Sequence, residues 1–266
     1  MNFTGKIVLI TGAGNGIGRA ASLGFASRGA TVVVVDHDTA AGEATAGIVR
    51  QQGGTASCVR ADVTKSADVQ AYVKFCVDTY GAIDCFYNNA GIEGAIAPTA
   101  EYDEDIFDRV MAVNVRGVFL GMRHVLPVMI AQGKGSVVNT ASIAGLVGSP
   151  NMPAYVASKH AVIGLTKAAS GEVGRSGIRV NAVCPGPIDT RMIHAVEAQI
   201  NPADPASVGN RYQASIPIGR YGTAEEVANL VMFLSSDLAG NITGAQYTVD
   251  GGRTATGGAV TNAPAK

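Results

Sequence analysis

A chain of 266 residues with 47% hydrophobic content is long enough to bury a large core, and its formal net charge of −1 offers no basic field to a nucleic acid or an anionic membrane. The four cysteines, Cys58, Cys76, Cys85 and Cys184, form no C-x-x-C pair and have no histidines at metal spacing, so they read as reduced core residues and no metal is expected. The opening MNFTGKIVLITG runs straight into a strand without the features of a signal peptide, and no apolar run reads as membrane-spanning, which points to a soluble cytoplasmic protein with no membrane partner.

The first β-branched run covers residues 6–10 and is followed by TGAGNGIG, with Gly12, Gly14, Gly16 and Gly18, leading into a helix that begins near Ile17. Such a turn lets the backbone approach a pyrophosphate, whose charge then sits at a helix N-terminus. The spacing is T-G-x-x-x-G-x-G, not the strict G-x-G-x-x-G. A second run, 31–35, is closed by Asp36, which stands 18 residues beyond Gly18. A carboxylate there accepts hydrogen bonds from both hydroxyls of an adenosine ribose and repels a 2′-phosphate. Neither Asn15 nor His37 supplies a cation to reverse that preference, so NAD is expected over NADP. After the run at 56–60, Asp62 and Val63 lie where a side chain and a backbone amide could meet an adenine, although Asp62 reads equally as a helix cap.

Further along come a helix at Ser66–Tyr80, a strand at 83–87 and a long helical pattern at Glu104–Gln132. Pro127 lies inside that pattern and predicts a kink or an early stop. A strand at 136–139 leads to SIAGLVGSPNMPAYVASK, in which Tyr155 and Lys159 stand four residues apart behind Ser142. On a helix that spacing puts phenol and ammonium side by side, which favours the phenolate and lowers a pKa otherwise near ~10. A helix at 154–176 follows, then a strand at 178–183 ending in Pro185 and Gly186. The segment 189–220, interrupted by three prolines, reads as a substrate lid. Leu146, Val147, Met152, Met192, Ile193 and Val196 are candidates for its apolar lining, and Arg191 and His194 read as solvated. Thr223 and Glu226 form a capping box for a helix at Ala224–Ser235, and Gln246–Val249 is the last strand.

Most of the strands are apolar on both faces and alternate with helices. This predicts an α/β fold, a doubly wound, Rossmann-type parallel sheet of about seven strands with helices on both faces. No linker divides the chain, so residues 1–255 are expected to form one domain, with a loose tail at 256–266.

These motifs together resemble the classical short-chain dehydrogenase/reductase family over nearly the whole chain: TGAGNGIG its glycine-rich turn, Asn88 to Gly91 (NNAG) its fourth-strand motif, YVASK its Y-x-x-x-K, with Asn114, Ser142 and the Pro185–Gly186 turn in matching order. The resemblance implies that Tyr155 is the general acid/base, that Lys159 depresses its pKa and binds the nicotinamide ribose, and that Ser142 holds the substrate oxygen. Asn114 would anchor a water linked to Lys159. Gly12, Asn15, Gly16, Ile17 and Gly18, then Asn89, Ala90 and Gly91, would allow the cofactor close. Ile188 and Thr190 would contact the nicotinamide carboxamide beyond Pro185 and Gly186. The implied activity is NAD-dependent oxidation of a neutral secondary alcohol, or the reverse ketone reduction. The alternatives are a 3-oxoacyl thioester reductase, which Asp36 disfavours because the family's versions commonly use NADPH, and a non-catalytic NAD-sensing protein. The family also implies a homotetramer, assembled through the two long helices and the stretch after Thr223.

Overall fold

The computed structural model describes residues 1–257. Seven parallel strands, β1 (Ile7–Thr11), β2 (Thr31–Asp36), β3 (Thr55–Arg60), β4 (Cys85–Asn88), β5 (Gly135–Thr140), β6 (Ile178–Pro185) and β7 (Gln246–Val249), form one sheet in the order β3-β2-β1-β4-β5-β6-β7. The order reverses between β1 and β4, so the loops leaving these two strands diverge and open a crevice at the carboxyl edge of the sheet.

Strands β1 to β6 feed two cores because their side chains alternate between faces. On β1, Val8 and Ile10 enter one cluster with Val32, Val34, Tyr87 and Val138, while Leu9 enters the other with Val33, Phe86, Val137 and Val180. Helices α1 (Gly16–Ala26), α2 (Thr39–Gln51) and α9 (Ala224–Ser235) cover the first face. Helices α3 (Ser66–Tyr80), α5 (Val118–Gln132) and α6 (Pro153–Val173) cover the second. The chain is completed by α4 (Glu104–Met111), α7 (Arg191–Ile200) and α8 (Pro205–Ala214). The doubly wound sheet read from the strand pattern is therefore the sheet observed.

Several boundaries differ from the sequence reading for identifiable reasons. The fourth strand begins at Cys85, two residues late, because the Ile83 main chain pairs with a side chain: its N–H donates to Gln132 Oε1 (3.0 Å) and its carbonyl accepts from Gln132 Nε2 (2.9 Å). Pro127 does not stop its helix. Burial of Val125, Leu126 and Met129 on the same helix offsets the lost hydrogen bond, and α5 continues to Gln132 and ends at left-handed Gly133. The irregularity lies upstream, as a π-helical turn at Ala112–Gly117 between α4 and α5. The capping box at Thr223 is present, with the Glu226 N–H donating to Thr223 Oγ1 (3.2 Å) and the Thr223 N–H to Glu226 Oε2 (2.8 Å).

One expectation is corrected outright. The run Glu104–Gln132 is, by length and composition, long and apolar enough to cross a membrane. Its inner face explains that composition: Val118, Leu120, Met122, Val125, Leu126 and Met129 all pack into the core.

The segment 189–220 is not irregular but a pair of helices, α7 and α8, with a bridge between Ile188 and Gly222 closing its base. Of the expected tail, residues 258–266 lie outside the described residues. Before them the chain turns on Asp250, whose carboxylate accepts from the Gly252 N–H (3.0 Å) and from the Thr254 N–H (2.8 Å) and Oγ1 (2.6 Å).

Candidate active site

The glycine turn closes tightly on the loop after β4. A Cβ at Gly12 would stand 2.8 Å from Ala90 Cα, and one at Gly18 only 2.2 Å from the Gly12 carbonyl oxygen, so neither position admits a side chain without moving backbone. Thr11 and Asn89 fasten the two loops together. Thr11 Oγ1 accepts from the N–H groups of Asn89 (3.0 Å) and Ala90 (3.2 Å), while Asn89 Nδ2 donates to the carbonyls of Thr11 (3.1 Å) and Gly12 (3.2 Å). Helix α1 then starts at Gly16, with Ile17 and Gly18 in its first turn. Its N-cap, Asn15, makes no side-chain cap and no acidic residue occupies that turn. The first-turn N–H groups are thus left for an anion, which fits the pyrophosphate of a dinucleotide.

Asp36 ends β2 at the rim of this turn and is 8% exposed. Its Oδ2 accepts from the Gly14 N–H (2.7 Å) and its Oδ1 from the Asp38 N–H (3.0 Å), which fixes the carboxylate beside the glycine turn. At the β3 exit Asp62 Oδ1 accepts from the Thr64 N–H (3.0 Å) and Oγ1 (2.7 Å), and Val63 packs against Gly117. Against the desolvation that would raise it, the Thr64 bonds and the neighbouring Lys65 hold the Asp62 carboxyl below its ordinary range.

The second half of the site lies across the crevice. Ser142 follows β5 and is buried. Its Oγ accepts from the Ala144 N–H (3.1 Å) and donates to the Pro185 carbonyl (3.4 Å), tying it to the end of β6. Helix α6 begins with Pro153 in its first turn and carries Tyr155 and Lys159 one turn apart, with Lys159 Nζ 5.5 Å from the Tyr155 ring centre. Lys159 Nζ also donates to the Thr140 carbonyl (2.8 Å). A Cβ at Gly91 would stand 3.5 Å from this Nζ and 3.2 Å from Asn114 Oδ1, so the glycine lets the loop after β4 pass over the lysine.

Asn114 lies in the π-helical turn and is fully buried. Its Oδ1 accepts from the Ile92 N–H (2.9 Å), and its Nδ2 donates to the Ile92 carbonyl (2.9 Å) and to Ser158 Oγ (3.0 Å).

The electrostatics correct the sequence reading of the tyrosine–lysine pair. Burial pushes the Tyr155 phenol up to about 12, the Ser142 hydroxyl beside it pulls the other way, and the Glu93 carboxylate adds to the rise. Burial brings Lys159 down to about 8. Both charged forms are disfavoured by a poorly solvated site, so the net effect on the phenol is a rise and not the lowering expected beside an ammonium.

The β6 exit supplies the remaining wall. The Gly186 N–H donates to the Val249 carbonyl (2.9 Å), and Ile188 is buried beside the bridge to Gly222. Thr190 Oγ1 donates to the Ile188 carbonyl (3.3 Å), and its Cγ2 stands 3.4 Å from where a Cβ at Gly16 would be, so this exit meets the glycine turn. On α7, His194 is not simply solvated: it joins Asp189 (2.8 Å) to Glu197 (2.9 Å), and both bonds raise its pKa, that to Glu197 most. Glu197 is buried and accepts from the Tyr221 hydroxyl (2.5 Å). Of the proposed apolar lining, Leu146 packs against the core, Val196 is buried and Val147 is 47% exposed, while Met152 borders a cleft with Gln199 and Tyr212.

The sheet thus brings Ser142, Tyr155, Lys159 and Asn114 together opposite the glycine turn, and Asp62 and Val63 stand at the β3 exit, where the Ala61 N–H donates to the Asp36 carbonyl (3.0 Å). Thr11, Thr140 and Glu93 were not singled out from the sequence. The threonine directly before Gly12 was visible in the motif, but Thr140 and Glu93 join the site only through strand pairing and loop packing.

A Ser–Tyr–Lys cluster facing a glycine-rich turn across the reversal point of a parallel sheet defines a doubly wound α/β enzyme scaffold. The chain belongs to the short-chain dehydrogenase/reductase family: a family model described as enoyl-(acyl carrier protein) reductase matches residues 12–254. Levodione reductase of Leifsonia aquatica is 42% identical over 255 residues, covering 95% of this chain and 96% of that protein. Cyclohexanol dehydrogenase of Acinetobacter sp. strain SE19 is 43% identical over 252 residues, covering 95% and 96%. Among solved structures, a levodione reductase superposes with a TM-score of 0.94 at 42% identity, covering 96% of this chain and 99% of that one. An NAD+-bound xylitol dehydrogenase does so with 0.90 at 37% identity, covering 95% and 100%.

Proposed function

We propose that this protein is an NAD-dependent oxidoreductase that interconverts a neutral secondary alcohol and its ketone, with Tyr155 as the proton-transferring group. The observation that carries the reading is the placement of Tyr155 and Lys159 one turn apart on α6, with Ser142 beside the phenol and the glycine turn opposite. Relatives named as a levodione reductase, a cyclohexanol dehydrogenase and a xylitol dehydrogenase support it. The first turn of α1, Gly12 and Asp36 would hold the dinucleotide, with Asn89, Ala90, Gly91, Pro185, Gly186, Ile188 and Thr190 around it. NAD, when bound, supplies the hydride acceptor.

The chain's own residues manage the oxygen and its proton. Ser142 Oγ, fixed between the Ala144 N–H and the Pro185 carbonyl, donates to the substrate oxygen and orients it toward Tyr155. During oxidation the Tyr155 oxygen accepts the hydroxyl proton; during reduction it returns one to the forming alkoxide. Lys159, held by the Thr140 carbonyl, favours the phenolate while it carries charge.

The pH dependence tests this assignment. Oxidation needs the phenolate, whose fraction grows tenfold per pH unit below a pKa of about 12, whereas reduction needs the phenol, already present across the neutral range. Lys159 is charged below about 8 and loses its charge above it. The expected kcat/KM for oxidation therefore rises from about pH 6 and bends near pH 8, while that for reduction stays level over the same interval. Oxidation that is independent of pH while hydride transfer limits the rate would remove Tyr155 as the base.

The family's homotetramer is part of this proposal. Phe119 and Ile130, 43% and 47% exposed on α5, and Leu238, 71% exposed after α9, support contacts through the long helices and the C-terminal region. A cytoplasmic setting is likewise proposed, supported by four free cysteines, three of them buried and Cys58 half-buried.

A further inference from the structure

We propose that Glu93 is a specificity-determining residue that selects alcohols carrying a second hydroxyl close to the reacting carbon. The proposal rests on the alcohol-dehydrogenase reading above and assigns that site a substrate class.

The loop after β4 presents this carboxylate on a frame held at almost every neighbouring residue. The Ile92 N–H and carbonyl are both engaged by Asn114 at 2.9 Å. Gly94, at φ +77°, approaches the Tyr102 hydroxyl and Val110 so closely that a Cβ would lie 2.6 and 2.7 Å from them. The Ala95 N–H donates to Tyr102 (3.1 Å), the Ile96 N–H to Gln199 Oε1 (3.2 Å) and the Ala97 N–H to the Asn151 carbonyl (2.9 Å). Gln199 Nε2 completes the frame by donating to the Gly94 carbonyl (3.4 Å), so the lid helix α7 locks onto the same loop. Glu93 sits in the middle of these tethers, half-buried, and its side chain has no hydrogen-bond or ion-pair partner among the described residues.

The loop brings Glu93 beside the catalytic pair: two residues earlier Gly91 passes over Lys159, where a Cβ would stand 3.5 Å from Nζ, Asn114 holds Ile92 directly before it, and its charge adds to the raised pKa of Tyr155. A half-buried carboxylate with no protein partner, held on a rigid loop, is free to accept from a donor on the substrate. The donor that fits is a neutral hydroxyl. An ammonium group would be repelled by Lys159 at the same site, and a carboxylate or phosphate by Glu93 itself. Farther along the same loop, Ile96 borders a cleft of about 320 Å³ with Ser149, Asn151, Gln199 and Tyr212.

The test compares kcat/KM for cyclohexanol and its vicinal diol in the wild type, Glu93→Gln and Glu93→Leu. The wild type is expected to prefer the diol. The diol-to-alcohol ratio should fall about tenfold in Glu93→Leu and by less in Glu93→Gln, because a site that hydrogen-bonds a substrate hydroxyl discriminates through that bond. In Glu93→Gln the rising limb of the oxidation pH profile should also move to lower pH, since the phenol loses a negative neighbour. That shift ties the effect to charge beside Tyr155, because altered packing alone would leave it in place. A ratio unchanged in both variants overturns the proposal whatever the pH profile does, and leaves the alcohol-dehydrogenase reading intact. Failure of the wild type to turn over any secondary alcohol removes that reading, and this proposal with it.

Discussion

Tyr155→Phe should lower kcat for oxidation of a secondary alcohol by about a thousandfold, within the range that a single acid/base group contributes. The substitution keeps the ring and its packing on α6 and removes one oxygen, so the affinity for NADH, measured by fluorescence titration, should be essentially retained. The loss falls on kcat because the missing oxygen acts on a proton that moves in the transition state, not on ground-state binding. Ser142 remains to orient the substrate oxygen, which accounts for the residual rate. A variant with normal kcat and a raised KM would mean that the hydroxyl only binds substrate, and the proton would need another carrier.

Asp36→Asn should weaken NAD by between about tenfold and about a hundredfold, the scale of hydrogen bonds made by a charged acceptor, and should narrow the discrimination against NADP. Asparagine is more informative than alanine here. Its amide oxygen can still accept from the Gly14 N–H, which Asp36 Oδ2 now holds at 2.7 Å, so the glycine turn keeps that anchor while the charge and the bond from the Asp38 N–H are lost. Ratios of kcat/KM for the two cofactors, taken with one substrate, check this. An unchanged ratio would show that Asp36 only supports the turn.

The parts legible in the sequence were those where local chemistry and final geometry coincide. Runs such as Val32 to Val35 are apolar on both faces because helices cover both sides of the sheet, and Tyr155 and Lys159 share a helix, so their spacing is itself a contact. The lid was harder because its prolines were read as interruptions. Pro205 is the first residue of α8, and Asp204 before it caps that helix by accepting from the Ser207 N–H (3.2 Å), a start signal with the appearance of a break. The π-helical turn that carries Asn114 left no local mark, since it depends on how Asn114 meets Ile92 and Ser158 from distant segments.

Charge was the least legible. Adjacency on a helix predicts that an ammonium lowers a phenol, but burial raises Tyr155 and lowers Lys159, and burial is a property of the folded crevice. Glu93 makes the same point. It lies far from Tyr155 in the chain and comes near only because Asn114 clamps the residue before it. The apolar length of Glu104–Gln132 is a further case, since a core helix and a membrane span share that composition and only the packing around Met122 and Leu126 separates them.

The central claim is that hydride passes between a secondary alcohol carbon and nicotinamide in this crevice. It is tested most directly by incubating the purified enzyme with NAD and secondary alcohols deuterated at the carbinol carbon, then measuring the label in the reduced cofactor by mass spectrometry. The account predicts one deuterium in the reduced nicotinamide for each ketone formed, with none appearing in the Tyr155→Phe variant over the same interval. Tight binding of NAD with neither ketone nor labelled cofactor would contradict it, leaving a protein that holds the dinucleotide without using it.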